Sequence, residues 1–174
     1  MIRAALLALA ALSAACVKID DTFAPPVQRR PLSGPDTSRL KHFIAMNDPA
    51  AEDHFLRDIG PLEAGSWRWT RQNPTLRFVL PATNGLKFLM EFSIHDETLR
   101  STGPVTITYT VNGHTLGRVR YDKSGGHRFE KPVPPEWLGD GEDVVVKAAL
   151  DKVYTAAADG AQLGVTLARA GFVE

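Results

Sequence analysis

The sequence predicts an all-β fold: an antiparallel β-sandwich of jelly-roll type with one short N-terminal helix in front of it. Three observations carry that expectation. Apolar and polar residues alternate over several runs between Leu76 and Phe172, which is the period of a half-buried strand. β-branched residues crowd those runs, most densely in Val105–Val111, where branched side chains suit a pleated surface. Turn residues separate the runs at near-regular intervals, the pattern of a sandwich rather than of βαβ units.

The elements follow in chain order. Residues 42–60 are the only helical stretch by pattern: Asp48-Pro49 gives a cap and an N1 proline. Ala50, Ala51, Phe55, Leu56 and Ile59 then fall at roughly helical spacing, and Gly60-Pro61 ends the run. A short helix over about 49–58 is expected, packed on the β domain. From Trp67 the period changes to two. Leu76, Phe78 and Leu80 form one strand face, and Leu86, Phe88, Met90, Phe92 and Ile94 form the next. Val105, Ile107, Tyr109 and Val111 alternate with threonines.

Asn112-Gly113 then separates that strand from Thr115–Tyr121. The pair supplies the positive φ angles of a type I′ hairpin. Lys123-Ser124-Gly125-Gly126 marks the next turn, ahead of a strand at His127–Val133 that Pro134-Pro135 interrupts. Gly139-Asp140-Gly141 is a further turn, and Val144, Val146, Ala148 and Leu150 form another strand. In the last strand Leu163, Val165 and Leu167 share a phase that Ala170 and Phe172 do not, which predicts a bulge. Seven or eight strands are expected in all.

Ahead of the domain, Met1-Ile2-Arg3 supplies a positive start and Ala4–Leu12 is an unbroken run of Ala and Leu. Ser13-Ala14-Ala15 leads into Cys16, the sole cysteine, which has no partner for an internal disulfide. A basic start, a short apolar run and small residues describe a secretory signal, and the run is shorter than the ~20 residues that span a bilayer. The segment Leu12-Ser13-Ala14-Ala15-Cys16 resembles the lipobox of bacterial lipoproteins, with Ser13 where that family prefers Leu. The resemblance implies a signal peptide over 1–15 and lipid on the Cys16 thiol and its new amino group, palmitate among the acyl chains. Several chains at about 0.8 kcal/mol per buried CH₂ anchor stably. Val17, in place of the Asp that favours inner-membrane retention, leans the expected address toward the outer membrane, facing the periplasm or the cell surface.

Residues 16–41 read as the lipidated Cys and a Pro-rich tether, with Pro25, Pro26, Pro31 and Pro35; such linkers stay extended at about 3.1 Å per residue. The β domain then occupies 42–174. Twenty Lys+Arg balance twenty Asp+Glu, so there is no basic footprint for nucleic acid.

Candidate binding residues are Trp67, Arg68, Trp69 and Trp137. In a strand Trp67 and Trp69 share one face and Arg68 and Thr70 the other. Two same-face indoles can stack on the apolar faces of sugars, or plug one end of the core. Metal chemistry is weakly supported: His54 and Asp58 would share a helix face, and the loops Asp140–Asp143 and Asp151–Asp159 offer oxygens. No metal or other cofactor is assigned. Catalysis has no thiol once Cys16 is lipidated and no Gly-x-Ser-x-Gly elbow. Glu91 with Glu130 or Asp96 is the one carboxylate pairing that would suit a glycosidase.

The order Glu63-x-Gly65-x-Trp67-Arg68-Trp69-Thr70, then Val111-Asn112-Gly113, Gly126-His127, Pro132-Val133-Pro134 and Leu163-Gly164-Val165 resembles galactose-binding-like β-sandwich domains. The likeness covers about residues 60–173. It implies a carbohydrate-binding type of fold and carries over no ligand residue. The expected function is a non-catalytic envelope module, membrane-anchored through Cys16, that binds glycan or another envelope component. The alternative is a structural or assembly lipoprotein docking a protein partner, with a glycan hydrolase third.

Overall fold

In the computed structural model residues 39–174 are described, and they fall within the unit Asp36–Glu174. Cys16, the signal segment and most of the tether lie outside the described residues. The strands are β1 (Phe43–Ala45), β2 (Phe55–Glu63), β3 (Trp67–Phe78), β4 (Lys87–Ile94), β5 (Val105–Val111), β6 (His114–Tyr121), β7 (Gly125–Pro132), β8 (Val144–Leu150), β9 (Tyr154–Thr155), β10 (Gln162–Leu163) and β11 (Thr166–Val173). One α-helix, α1 (Asp96–Thr102), follows β4.

The domain is mostly antiparallel β. The main sheet runs in the order β6-β5-β8-β3-β11-β4-β7, with β1 added on β11 and β2 on β3, while β9 and β10 form a separate small ribbon. Strand β3, 12 residues long, explains how the sheet folds over on itself. Near its start Arg68 and Trp69 pair with Leu167 and Thr166 of β11. Near its end Thr75–Phe78 pair with Lys147–Val144 of β8. The same edge of one strand therefore serves both halves of a nearly closed sandwich.

The alternating residues fill the space between those halves. Phe78, Phe88, Met90, Phe92, Ile107, Val144 and Phe172 are all buried in one cluster. Tyr109 of β5 stacks on Phe129 of β7 at 3.7 Å, which joins the two ends of the sheet through side chains. Its hydroxyl meets that of Tyr121 at 2.9 Å, so the buried phenols satisfy one another. Asn112 and Gly113 both have positive φ, as the I′ hairpin requires. The register shift between Leu167 and Arg169 is the bulge that the phase change in the last strand anticipates.

The expected helix over 49–58 is absent. Asp48 Oδ1 accepts the Ala50 N–H at 2.8 Å and starts only a single 3₁₀ turn, Ala51–His54. From Phe55 the chain is β2, paired with β3. Its apolar spacing imitated a helix because the strand is irregular. The register shifts three times along it, and Asp58 sits at a φ of 60°, so inward positions do not alternate cleanly. Pro61 is accommodated because, among the described residues, β2 pairs only with β3, so its other edge needs no N–H there.

The helix that does form lies outside 42–60, the only stretch where the sequence pattern points to one, and directly follows His95. Asp96 and Glu97 stand in its first turn, where acids favour the helix dipole. Gly103, at a φ of 70°, ends it by donating its N–H to the Leu99 carbonyl.

Candidate functional site

The outward face of the β3-β11-β4-β7 half-sheet carries the site. Pairing places Trp69, Thr166, Ser93 and Gly126 side by side on four successive strands. One step along, Arg169, Glu91 and Arg128 form the next outward row. The alternate residues Leu167 and Phe92 point into the core.

Trp67 and Trp69 are both half-buried. Their rings meet edge to face at 5.8 Å, a favoured aromatic geometry. His95, the residue preceding α1, lies 4.6 Å from the Trp69 ring and 6.4 Å from Trp67. The three rings thus form a compact triangle in which each braces the others. Trp67 lines a cleft of about 480 Å³ with Ser93, His95, Asp96, Ser124 and Ala168. The cleft lining combines one indole with hydroxyl, imidazole and carboxylate groups.

Arg68 lies away from this cleft. It is 6% exposed and on the opposite face of β3, as the alternation required. Its Nε donates to the Met46 carbonyl at 3.1 Å, and Nη1 donates to the Gly60 carbonyl and to Glu52, each at 3.2 Å. The guanidinium also sits 5.0 Å over the Phe55 ring. Every contact is internal, so its placement is that of a clamp joining β3 to β2 and to the segment after β1.

Trp137 also lies apart. It stacks on His114 at 5.0 Å and 12°, and its carbonyl accepts the Asn112 side-chain amide at 2.8 Å. Those contacts brace the β5–β6 hairpin. Of the four sequence candidates, the structure brings together Trp67 and Trp69, and adds His95, Ser93 and Ala168. His95 directly follows Ile94, the last alternating residue of its strand, and has no further signal in the sequence. Ser93 and Ala168 carried no signal, because their place depends on register.

The metal pairing does not assemble. With no helix at 49–58, His54 and Asp58 share no face. His54 is fully buried; its Nε2 accepts the Lys41 N–H at 3.3 Å and Nδ1 meets the Arg77 carbonyl at 2.8 Å. Both ring nitrogens are thereby satisfied in the neutral form, and burial pushes the imidazole pKa down. Asp58 accepts the Asn73 N–H. The loop acids Asp140, Asp151 and Asp159 each accept a backbone N–H. No cluster of three or more metal-ligating side chains occurs among the described residues.

Of the three carboxylates weighed for glycosidase chemistry, Glu91 and Glu130 are bound to cations, while Asp96 lines the cleft beside Trp67. Glu91 accepts from Arg169 at 2.8 Å and Arg128 at 3.4 Å, and Glu130 accepts from Arg128 at 2.6 Å. Arg128 holds the Glu130 carboxyl below its usual range. A glycosidase acid needs the reverse, a pKa raised so that the proton stays on at neutral pH.

These features define a class: a mostly antiparallel β-sandwich domain with an aromatic cleft on one outer face. No protein-family model matches the chain, nor does any curated protein sequence. Among solved structures, it is similar to the CBM36-1 domain of a multidomain xylanase from the hindgut metagenome of Trinervitermes trinervoides. That match has 11% identity and a TM-score of 0.38, over 68% of this chain and 90% of that one. It is also similar to BtGH115A, a family GH115 4-O-methyl-α-glucuronidase with specificity for decorated arabinogalactans. There the identity is 11% and the TM-score 0.39, over 88% of this chain and 19% of that one.

Proposed function

We propose that the domain is a non-catalytic glycan-binding module, held at the cell envelope by lipid on Cys16. The observation that carries the binding reading is Trp67, half-buried, lining a cleft of about 480 Å³ and braced by Trp69 and His95. A pyranose ring has an apolar face that an indole desolvates and hydroxyls that need partners. His95, Asp96 and Ser124 supply donors and acceptors across the cleft. The pairing of Glu91 and Glu130 with arginines favours binding over hydrolysis. The anchor reading rests on the lipobox-like Leu12-Ser13-Ala14-Ala15-Cys16, and Val17 favours the outer membrane.

A glycan array probed with the Cys16→Ser chain tests the binding, with saturable signal on one polysaccharide class as the expected result. Binding to no polysaccharide contradicts it. Cell fractionation tests the anchor: the Cys16→Ser chain moves from the membrane to the soluble fraction, and a variant that stays with the membrane refutes lipidation.

The second reading, an assembly lipoprotein that docks a protein partner, is favoured by β2. Leu56 and Leu62 on this strand are 48% and 40% exposed, and among the described residues β2 pairs only with β3. Retention of an envelope protein by the wild-type chain and its loss in Leu56→Asp/Leu62→Asp would favour that reading.

A further inference from the structure

We infer that the cleft beside Trp67 is one end of a longer groove along β4 and β7, which holds a linear, uncharged glycan chain rather than a single terminal sugar. This inference rests on the glycan-binding reading above. A second cleft, of about 360 Å³, is lined by Glu91, Ser93, Gly126, Arg128 and Ala168. It shares Ser93 and Ala168 with the first. The two therefore adjoin, with small residues between them. From His95 to Glu91 is four residues along an extended chain, about 13 Å at the usual rise, which is longer than one sugar ring.

Gly126 lines the second cleft and pairs with Ser93, which lines both, and neither a steric clash nor a left-handed φ requires glycine there. Other glycines have such a requirement. A Cβ on Gly164 would lie 2.6 Å from the Arg71 carbonyl oxygen, and one on Gly171 would lie 2.4 Å from the Phe43 Cα. At Gly126, φ is outside the left-handed region and a Cβ would meet nothing within 4 Å. Glycine within a strand costs about 0.5–1 kcal/mol relative to alanine, and it marks places where another backbone or a ligand approaches closely. Here any larger side chain would stand on the outward face beside Ser93 and divide the groove.

The far end of the groove indicates the chemistry of the chain it holds. Glu91 is held between Arg169 and Arg128, and Arg128 also binds Glu130. These charges neutralise one another, leaving donors and acceptors side by side with no strong excess of either sign. Such an array suits neighbouring hydroxyls better than a carboxylate or an ammonium group.

The test is calorimetric titration of the Cys16→Ser chain with β-1,4-linked glucose, xylose and N-acetylglucosamine oligosaccharides of one to six units. An oligogalacturonate series of the same lengths serves as the acidic arm. Affinity in a neutral series should rise about tenfold or more between one and three units and then level off. Gly126→Val should remove that gain without lowering the melting temperature, since valine suits a strand and a Cβ has open space there. Length-independent affinity, a Gly126→Val variant that binds the hexamer as well as its parent, or a preference for the acidic series overturns the groove while the glycan-binding reading stands. Binding to none of the four series overturns both.

Discussion

Arg68→Ala is predicted to lower stability sharply while sparing ligand binding, and its magnitude follows from the contacts. The guanidinium donates to two backbone carbonyls, Met46 at 3.1 Å and Gly60 at 3.2 Å. Hydrogen bonds from a charged donor are worth about 1.5–3 kcal/mol each, and their loss strands buried acceptors. The contact over Phe55 adds about 0.5–1 kcal/mol. Glu52 adds little, because its side chain is 76% exposed and water screens such pairs. The expected loss is about 4 kcal/mol, or roughly 10 °C in Tm for a domain of this size. Urea unfolding of Arg68→Ala beside Arg68→Met separates lost donors from lost packing, since Met retains an apolar stem. A loss under about 1 kcal/mol in Arg68→Ala refutes the clamp. Full stability with abolished glycan binding would instead place Arg68 in the ligand site.

Two further outcomes follow from the buried groups. Burial depresses the folded-state pKa of His54 below its ordinary 6.5, so the unfolded chain takes up a proton at a pH where the folded one does not. Stability is therefore independent of this group above about pH 6.5. As pH falls from there toward the depressed folded value, stability declines by up to about 1.4 kcal/mol per pH unit. Urea midpoints between pH 7.5 and 5 should show the decline, and His54→Gln should flatten it; an unchanged slope in that variant contradicts the assignment. Gly171→Ala should cost more than about 3 kcal/mol, because the new Cβ would strike the His42 carbonyl and the Phe43 Cα, both backbone and both at 2.4 Å. Denaturation within about 1 kcal/mol of the parent would show that β1 can move aside.

Much of the fold was legible because most strands bury one face. Leu76–Leu80, Leu86–Ile94, Val105–Val111 and Val144–Leu150 all alternate, and their inward residues are the observed core. Asn112-Gly113 identified its hairpin because few residues tolerate two positive φ angles in succession. The bulge in β11 showed as a phase change for the same reason that it exists, one extra residue in the strand.

What stayed hidden depended on partners distant in sequence. β3 exchanges β11 for β8 partway along, and nothing local announces the switch. β2 looked helical because its bulges scramble the inward pattern. α1 was missed because Leu99 is its only large apolar residue, although its acidic first turn and Gly103 were in view. At the site, period-two spacing placed Trp67 and Trp69 together and Arg68 opposite them. His95, Ser93, Ala168 and Gly126 join them only through strand register and the start of α1.

The most direct test is a comparison of three proteins on the polysaccharide that binds best: the Cys16→Ser chain and the same chain carrying Trp67→Ala or Trp137→Ala. Loss of the Trp67 wall should weaken binding by about tenfold or more, equivalent to at least about 1.4 kcal/mol. Loss of Trp137, which stacks on His114 away from the cleft, should leave affinity unchanged in the folded protein. Equal affinity of the Trp67→Ala variant and its parent, or a loss confined to Trp137→Ala, would contradict the assignment of the aromatic cleft as the glycan site.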